Sequence, residues 1–156
     1  MQLIYTGYIP SKPMTPGVIH NDAEYSHLCK LYLFTYKYRD LEAQNMVIDA
    51  LHATSQEAGR IAKDATYAIR DASLPPRQCV ELIYDSTSEG SGARRLLIDL
   101  YAYKGHGKWM RDEKEPFPPE FMSDLAFELL ETRILSHSRI MRTSQFYHDV
   151  ASGKKE

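Results

Sequence analysis

Residues 75–103, PPRQCVELIYDSTSEGSGARRLLIDLYAY, restrict the possible folds of this chain more than any other stretch. Val80, Ile83 and Tyr84 on one side, and Ala93, Leu96, Leu97, Leu100 and Tyr101 on the other, repeat at the i, i+3, i+4, i+7 spacing of amphipathic helices. Between them, residues 85–92 are turn formers. Ser and Thr there bond nearby backbone groups, and Gly90 and Gly92 accept backbone angles that other residues resist. The stretch predicts an αα-hairpin, and the rest of the chain is expected to pack around it.

A chain of 156 residues is most simply one domain, able to bury roughly 70% of the surface its unfolded form exposes. No window approaches the ~20 apolar residues of a membrane helix. A formal net charge of −2 supplies no general attraction for nucleic acid or an anionic membrane, so neither is an expected partner. The start, MQLIYTGYIP, lacks the basic and apolar regions of a signal peptide, which favours an intracellular location. Cys29 and Cys79 each lie in a predicted helix among apolar neighbours, where a free, buried thiol is expected.

Proline at 10, 13 and 16 forbids a regular helix, so a short extended segment and a connector precede the first one. Asn21 or Asp22 can cap that helix, with Glu24 three residues beyond Asn21. It carries one apolar stripe at Leu28, Cys29, Tyr32, Leu33 and Tyr36 and a second at Leu31, Phe34 and Tyr38. A helix apolar on two sides is expected to be central to the core or to face a partner. Asp40 is the expected cap of the next helix, which buries Leu41, Val47, Ile48, Ala50 and Leu51.

Residues 52–72 continue with helix formers and a narrow seam at Ile61, Ala62, Ala65, Ala68 and Ile69. One long helix is expected, or two separated near Gly59, where glycine costs about 1 kcal/mol relative to alanine. Pro75 and Pro76 end it. Residues 104–119 read as a loop that packs through Trp109 and Phe117. A last helix from 118 to 134 is expected to bury Phe121, Met122, Leu125, Ala126, Leu129 and Leu130, and the polar residues 136–156 to fray. The fold class is therefore all-α, a bundle of about five to six helices built around the hairpin.

Each candidate for chemistry has a plainer structural explanation. SEGSGARR (88–95) opens a helix, where backbone N–H groups can hold an anion, yet it lacks the lysine, the spacing and the preceding strand of a phosphate loop. A turn and helix start explain it better. The histidines at 20, 27, 52, 106, 137 and 148 show no ligand spacing, so no metal or other cofactor is expected. Ser136, His137 and Ser138 are sequence neighbours that point apart on a helix and cannot pair as nucleophile and base. No catalytic residue stands out.

The order of several short motifs resembles a known family. IYDSTSEGSGARRLLIDLYAY, with Trp109 and PPEFMSDLA downstream, resembles the helical extension that follows the BTB/POZ domain in fungal BTB proteins. Upstream, LIYTGYIP and LCKLYLFTYKYRDLEAQNMVIDAL, with Lys37-Tyr38 and the helix 44–51, resemble the C-terminal helices of the BTB domain itself. The match runs from Leu3 to Arg133. It departs from the family at Asp40-Leu41, and it lacks the sheet-forming start of a complete BTB domain. Residues 1–72 would then be BTB-like helices with their connector, 73–135 the extension packed on them as one unit, and 136–156 a tail.

The resemblance implies a non-catalytic protein–protein interaction module that self-associates or binds a protein partner; many such proteins link substrates to cullin-type ubiquitin ligases. The missing portion would cover Leu3, Ile4 and Tyr5 and the helix face of Leu31, Phe34 and Tyr38, which makes these six the expected partner-binding residues. An alternative is a small helical ligand- or anion-binding domain, even a divergent enzyme, with its site between Glu89 and Arg95 and near Trp109. A third option is a helix–helix dimer through the small-residue seam between Ala58 and Ala72.

Overall fold

The computed structural model describes residues 22–61, 74–105, 116–135 and 143–149. The chain there is an all-α bundle, and no strand occurs among the described residues. Helix α1 spans Asp22–Lys37, α2 Leu41–Ile61, α3 Arg77–Ser86, α4 Gly92–Lys104 and α5 Pro119–Leu135, followed by a single 3-10 turn at Ser144–Tyr147. The expected N-terminal extended segment, the cap at Asn21, Trp109 and most of the small-residue seam lie outside the described residues.

Local chemistry sets the helix boundaries. Asp40 caps α2, its Oδ1 accepting the Ala43 N–H at 3.0 Å. α2 runs through Gly59 without a break. Proline opens α5 at its first position, where a missing N–H costs nothing. Between α1 and α2 the chain reverses in three residues. The Asp40 N–H reaches the Thr35 carbonyl at 3.1 Å and the Arg39 N–H reaches Tyr36 at 3.1 Å, with Arg39 at φ 56° in the left-handed region. A side chain there costs about 1 kcal/mol, so Arg39→Gly is expected to raise stability by about that amount, read as a higher Tm. An unchanged or lower Tm would show that Arg39 makes a compensating contact.

The apolar stripes meet in a single core. α1 contributes Tyr25, Leu28, Cys29 and Tyr32; α2 Val47, Ile48 and Leu51; α3 Cys79, Val80, Ile83 and Tyr84. α4 is the hub. It is buried almost without interruption from Gly92 to Tyr101 and packs on α2, α3, α5 and the 3-10 turn. The sequence points instead to the first helix as central and to an α3–α4 hairpin as the organising pair. In the fold α3 packs more on α1, and α4 more on α5, than they do on each other. Tyr84, Tyr101, Phe117 and Phe121 form an aromatic cluster joining α3, α4, α5 and the segment before α5, with centroids 5.1–5.8 Å apart.

Three expectations are corrected. On α5, Phe121 and Leu125 are buried and Met122 is half-buried, but Ala126, Leu129 and Leu130 are exposed, Leu130 by 59%. The helix is apolar all round and packs chiefly on α4, so only one face can be covered. Gly92 does not turn the chain; Gly90 does, at φ 76°. The tail, expected to fray, returns to the bundle at 143–149 and buries Tyr147 completely.

Cys29 and Cys79 are free and buried, as the sequence implies, and lie side by side in the core. The hydrogen bond from its neighbour, together with burial, pushes the Cys29 thiol well above the ordinary range.

Lys104 ends α4 with its ammonium donating to the Ser55 carbonyl, and burial pulls its pKa from 10.5 down to about 8. The unfolded chain therefore binds an extra proton between pH 8 and 10, and Lys104 by itself makes stability rise with pH across that window. From about pH 9 Cys29, and above about 10 Tyr25, Tyr32 and Tyr84, oppose the trend, because their pKa values are raised in the fold and the unfolded chain ionises first. Urea midpoints across this range should peak near pH 9. In Lys104→Met the rise between pH 8 and 9 should vanish; its persistence would assign it to another group.

Candidate interaction surface and groove

Of the six side chains that the resemblance marks for partner binding, Leu3, Ile4 and Tyr5 lie outside the described residues. Leu31 and Phe34 share one face of α1, and Tyr38, one residue past its end, continues that face. Leu31 is half-buried against the core, while Phe34 is 44% and Tyr38 66% exposed, their rings 4.8 Å apart. The opposite face of α1 is buried through Tyr25, Cys29 and Tyr32, so this second apolar stripe points away from the bundle. The reversal at Arg39 places Tyr38 at the helix end, where it covers the Phe34 ring.

A second feature is a groove of about 580 Å³ between α4, α5 and the 3-10 turn. Residues 89–95 do line it, through Glu89, Gly90, Arg94 and Arg95. The arginines serve the fold. Arg94 is buried: Nη2 donates to the carbonyls of Tyr84 and Thr87 at 2.6 Å each, Nε to Thr87 Oγ1 at 3.2 Å, and Nη1 to Glu120 at 2.9 Å. It also stacks 4.3 Å over the Tyr84 ring. Arg95 spends both terminal nitrogens on backbone carbonyls, those of Gly90, Tyr147 and His148, and on Asp149. Asp99, Asp124, Glu128 and Glu89 complete a lining in which four carboxylates outnumber the two guanidinium groups. Such a lining suits a cation better than an anion.

The seat of residues 147–149 went unread in the sequence. Asn45 and Tyr32, on α2 and α1, hold Asp149 on one side, and Arg95 on α4 holds it on the other. The one hint in the sequence is a pair of adjacent aromatics, Phe146 and Tyr147, inside a mainly polar tail. No group of His, Cys, Asp and Glu among the described residues is arranged to hold a metal ion.

The chain matches no family model, curated protein or solved structure. The chemistry of these surfaces must therefore carry the functional argument.

Proposed function

We propose that the chain is a non-catalytic protein–protein interaction module of the BTB/POZ type, acting through the α1 face of Leu31, Phe34 and Tyr38. The supporting observation is the tilted pair Phe34 and Tyr38, two large rings in contact with each other yet exposed at the end of a helix whose other face is buried. Leaving such a patch in water is unfavourable, and covering it with a second copy or a protein partner relieves that cost. Self-association is the first expectation; docking on a cullin-type ligase is the adaptor role that the resemblance adds. Two buried, reduced thiols accord with an intracellular location. No helix among the described residues is long and apolar enough to cross a membrane.

Sedimentation of the wild type should show a concentration-dependent dimer. Phe34→Glu combined with Tyr38→Glu should weaken it by about 2 kcal/mol or more, close to thirtyfold in Kd, with the Tm unchanged at concentrations where both chains are monomeric. A wild-type chain that stays monomeric at high concentration and shows no affinity for a cullin N-terminal domain would overturn the proposal.

The groove beside α4 favours a second reading, a ligand site at residues 89–95, with cationic rather than anionic ligands suited to its acidic lining. A thermal-shift screen tests it, since a ligand at a hundredfold its Kd adds about 2.7 kcal/mol of stability. Flat melting temperatures for polyamines, nucleotides and sugar phosphates alike would remove it.

A further inference from the structure

Tyr147 closes the 3-10 turn and the chain leaves it extended at His148, and groups from three helices hold residues 147–149 much as a receptor holds a peptide. The Asn45 side chain donates its amide N–H to the Asp149 carbonyl at 3.3 Å and accepts the Asp149 N–H at 2.9 Å. That two-way pairing copies what a neighbouring β-strand supplies, and it reads backbone, whatever the side chain. Arg95 adds to it, its Nη2 gathering the carbonyls of Tyr147 and His148 at 3.1 Å each. The backbone at His148 is extended, at φ −63° and ψ 134°.

Side chains are then selected at alternate positions. The Tyr147 ring is fully buried and its hydroxyl donates to Asp99. His148, the next residue, turns outward to Asp49 at 2.8 Å. Asp149 turns back in, one carboxylate oxygen accepting from Tyr32 at 3.0 Å and the other from Arg95 at 3.3 Å. One subsite therefore offers an acid to a phenol, and the next offers a guanidinium and a phenol to an acid. Gly92 makes the close seat of the main chain possible, since a Cβ there would lie 2.2 Å from the Tyr147 carbonyl oxygen. These contacts come from side chains of three helices that are already fixed by the core, on a different face from the Phe34 and Tyr38 pair.

We propose that the groove between α2 and α4 is a recognition site for a segment that presents tyrosine at the end of a helical turn and, two residues on, a carboxylate, and that residues 147–149 fill it as a tethered ligand which a partner protein's segment of that chemistry displaces. Because the occupant is on the same chain, it competes at a high effective concentration. The wild type should therefore bind such a peptide weakly, by the fraction of time its own segment is undocked.

The test titrates the full-length chain into a fluorescein-labelled peptide, TSQFYHDV, followed by anisotropy. Asp149→Ala removes one anchor of the tethered segment, so that Tyr147 vacates its subsite for a larger fraction of the time, and it should bind the peptide at least about tenfold more tightly than the wild type does. Tyr147→Ala, which empties the aromatic subsite, should do the same wherever circular dichroism shows it folded. Peptides with Ala in place of the tyrosine or the aspartate should fail to bind, and excess native peptide should expose the amides of 144–149 to hydrogen exchange in the wild type. A dimer that forms by exchange of the segment and dissolves in excess peptide would make a second copy the occupant and overturn the assignment to a partner protein. No saturable binding to folded Asp149→Ala, or binding indifferent to the peptide's tyrosine and aspartate, would overturn it.

Discussion

Arg94→Met should cost about 3–5 kcal/mol, whereas Glu120→Gln should cost less than about 1 kcal/mol. The two residues form an ion pair at 2.9 Å, but Glu120 is 71% exposed, and water screens most of its attraction. The large effect of Arg94 lies in the other direction. Its Nη2 satisfies the carbonyls of Tyr84 and Thr87, which the end of α3 leaves without helical partners. Hydrogen bonds from a charged donor contribute about 1.5–3 kcal/mol each, and a methionine leaves both carbonyls buried and unpaired. Lysine cannot replace the planar fork that reaches both at once. With total stability of about 5–15 kcal/mol for a domain, Arg94→Met removes a large part of it. Denaturation of the two single variants and the double variant decides the matter. If Glu120→Gln costs as much as Arg94→Met, the ion pair is the main term and this account is wrong.

Gly92→Ala should destabilise by about 1–3 kcal/mol, although helix propensity alone predicts a gain of about 1 kcal/mol at such a position. A Cβ there would lie 2.2 Å from the Tyr147 carbonyl oxygen and 2.5 Å from Ile48 Cδ1. The isoleucine tip can rotate away. The carbonyl cannot move freely, because Arg95 holds it at 3.1 Å and Tyr147 is fixed in the core. The segment must lift, so hydrogen-exchange protection at 144–149 should fall together with the denaturation midpoint. Gly90→Ala is the control. Nothing lies within 4 Å of that position, but its φ of +76° makes alanine cost about 1 kcal/mol with the segment still protected. A stabilised Gly92→Ala chain would mean that the Tyr147 carbonyl does not pack against Gly92.

These two residues also show where the sequence was legible. SEGSGARR announced a turn and a helix start, and both are there: Ser91 Oγ accepts the Arg94 N–H at 3.5 Å and Gly90 turns the chain. Turn chemistry and capping act over a few residues, so residue types alone reveal them. The second role of the same letters is nonlocal. Nothing near Gly92 in the chain indicates that Tyr147 will cross it, and nothing near Arg94 and Arg95 indicates that the carbonyls of α3 and of residues 147–148 will claim their donors. The pattern of α5 misled for a related reason. Its apolar residues occur all round the helix, and only packing on α4 decides that Phe121 is covered while Phe127 is 66% exposed.

The sequence by itself determined that the chain is helical, where α1 to α5 begin within a residue or two, and which stripe of α1, α3 and α4 turns inward; it left the end of α2 open between a break near Gly59, which the helix passes, and a continuation into residues outside those described. Periodicity, proline and capping side chains are local and additive, so they survive without knowledge of the fold. It also marked Leu31, Phe34 and Tyr38 as sharing a face, since helical spacing alone puts them there. Tertiary structure decided that α4 is the hub, that the guanidinium groups near Gly90 brace the fold, and that the tail returns to seat Tyr147 and Asp149. Each of these depends on groups far apart in the chain whose hydrogen bonds and volumes match only after the helices have packed. The hairpin at residues 75–103 remains two helices and a turn, but its second arm is the helix on which the rest of the molecule closes.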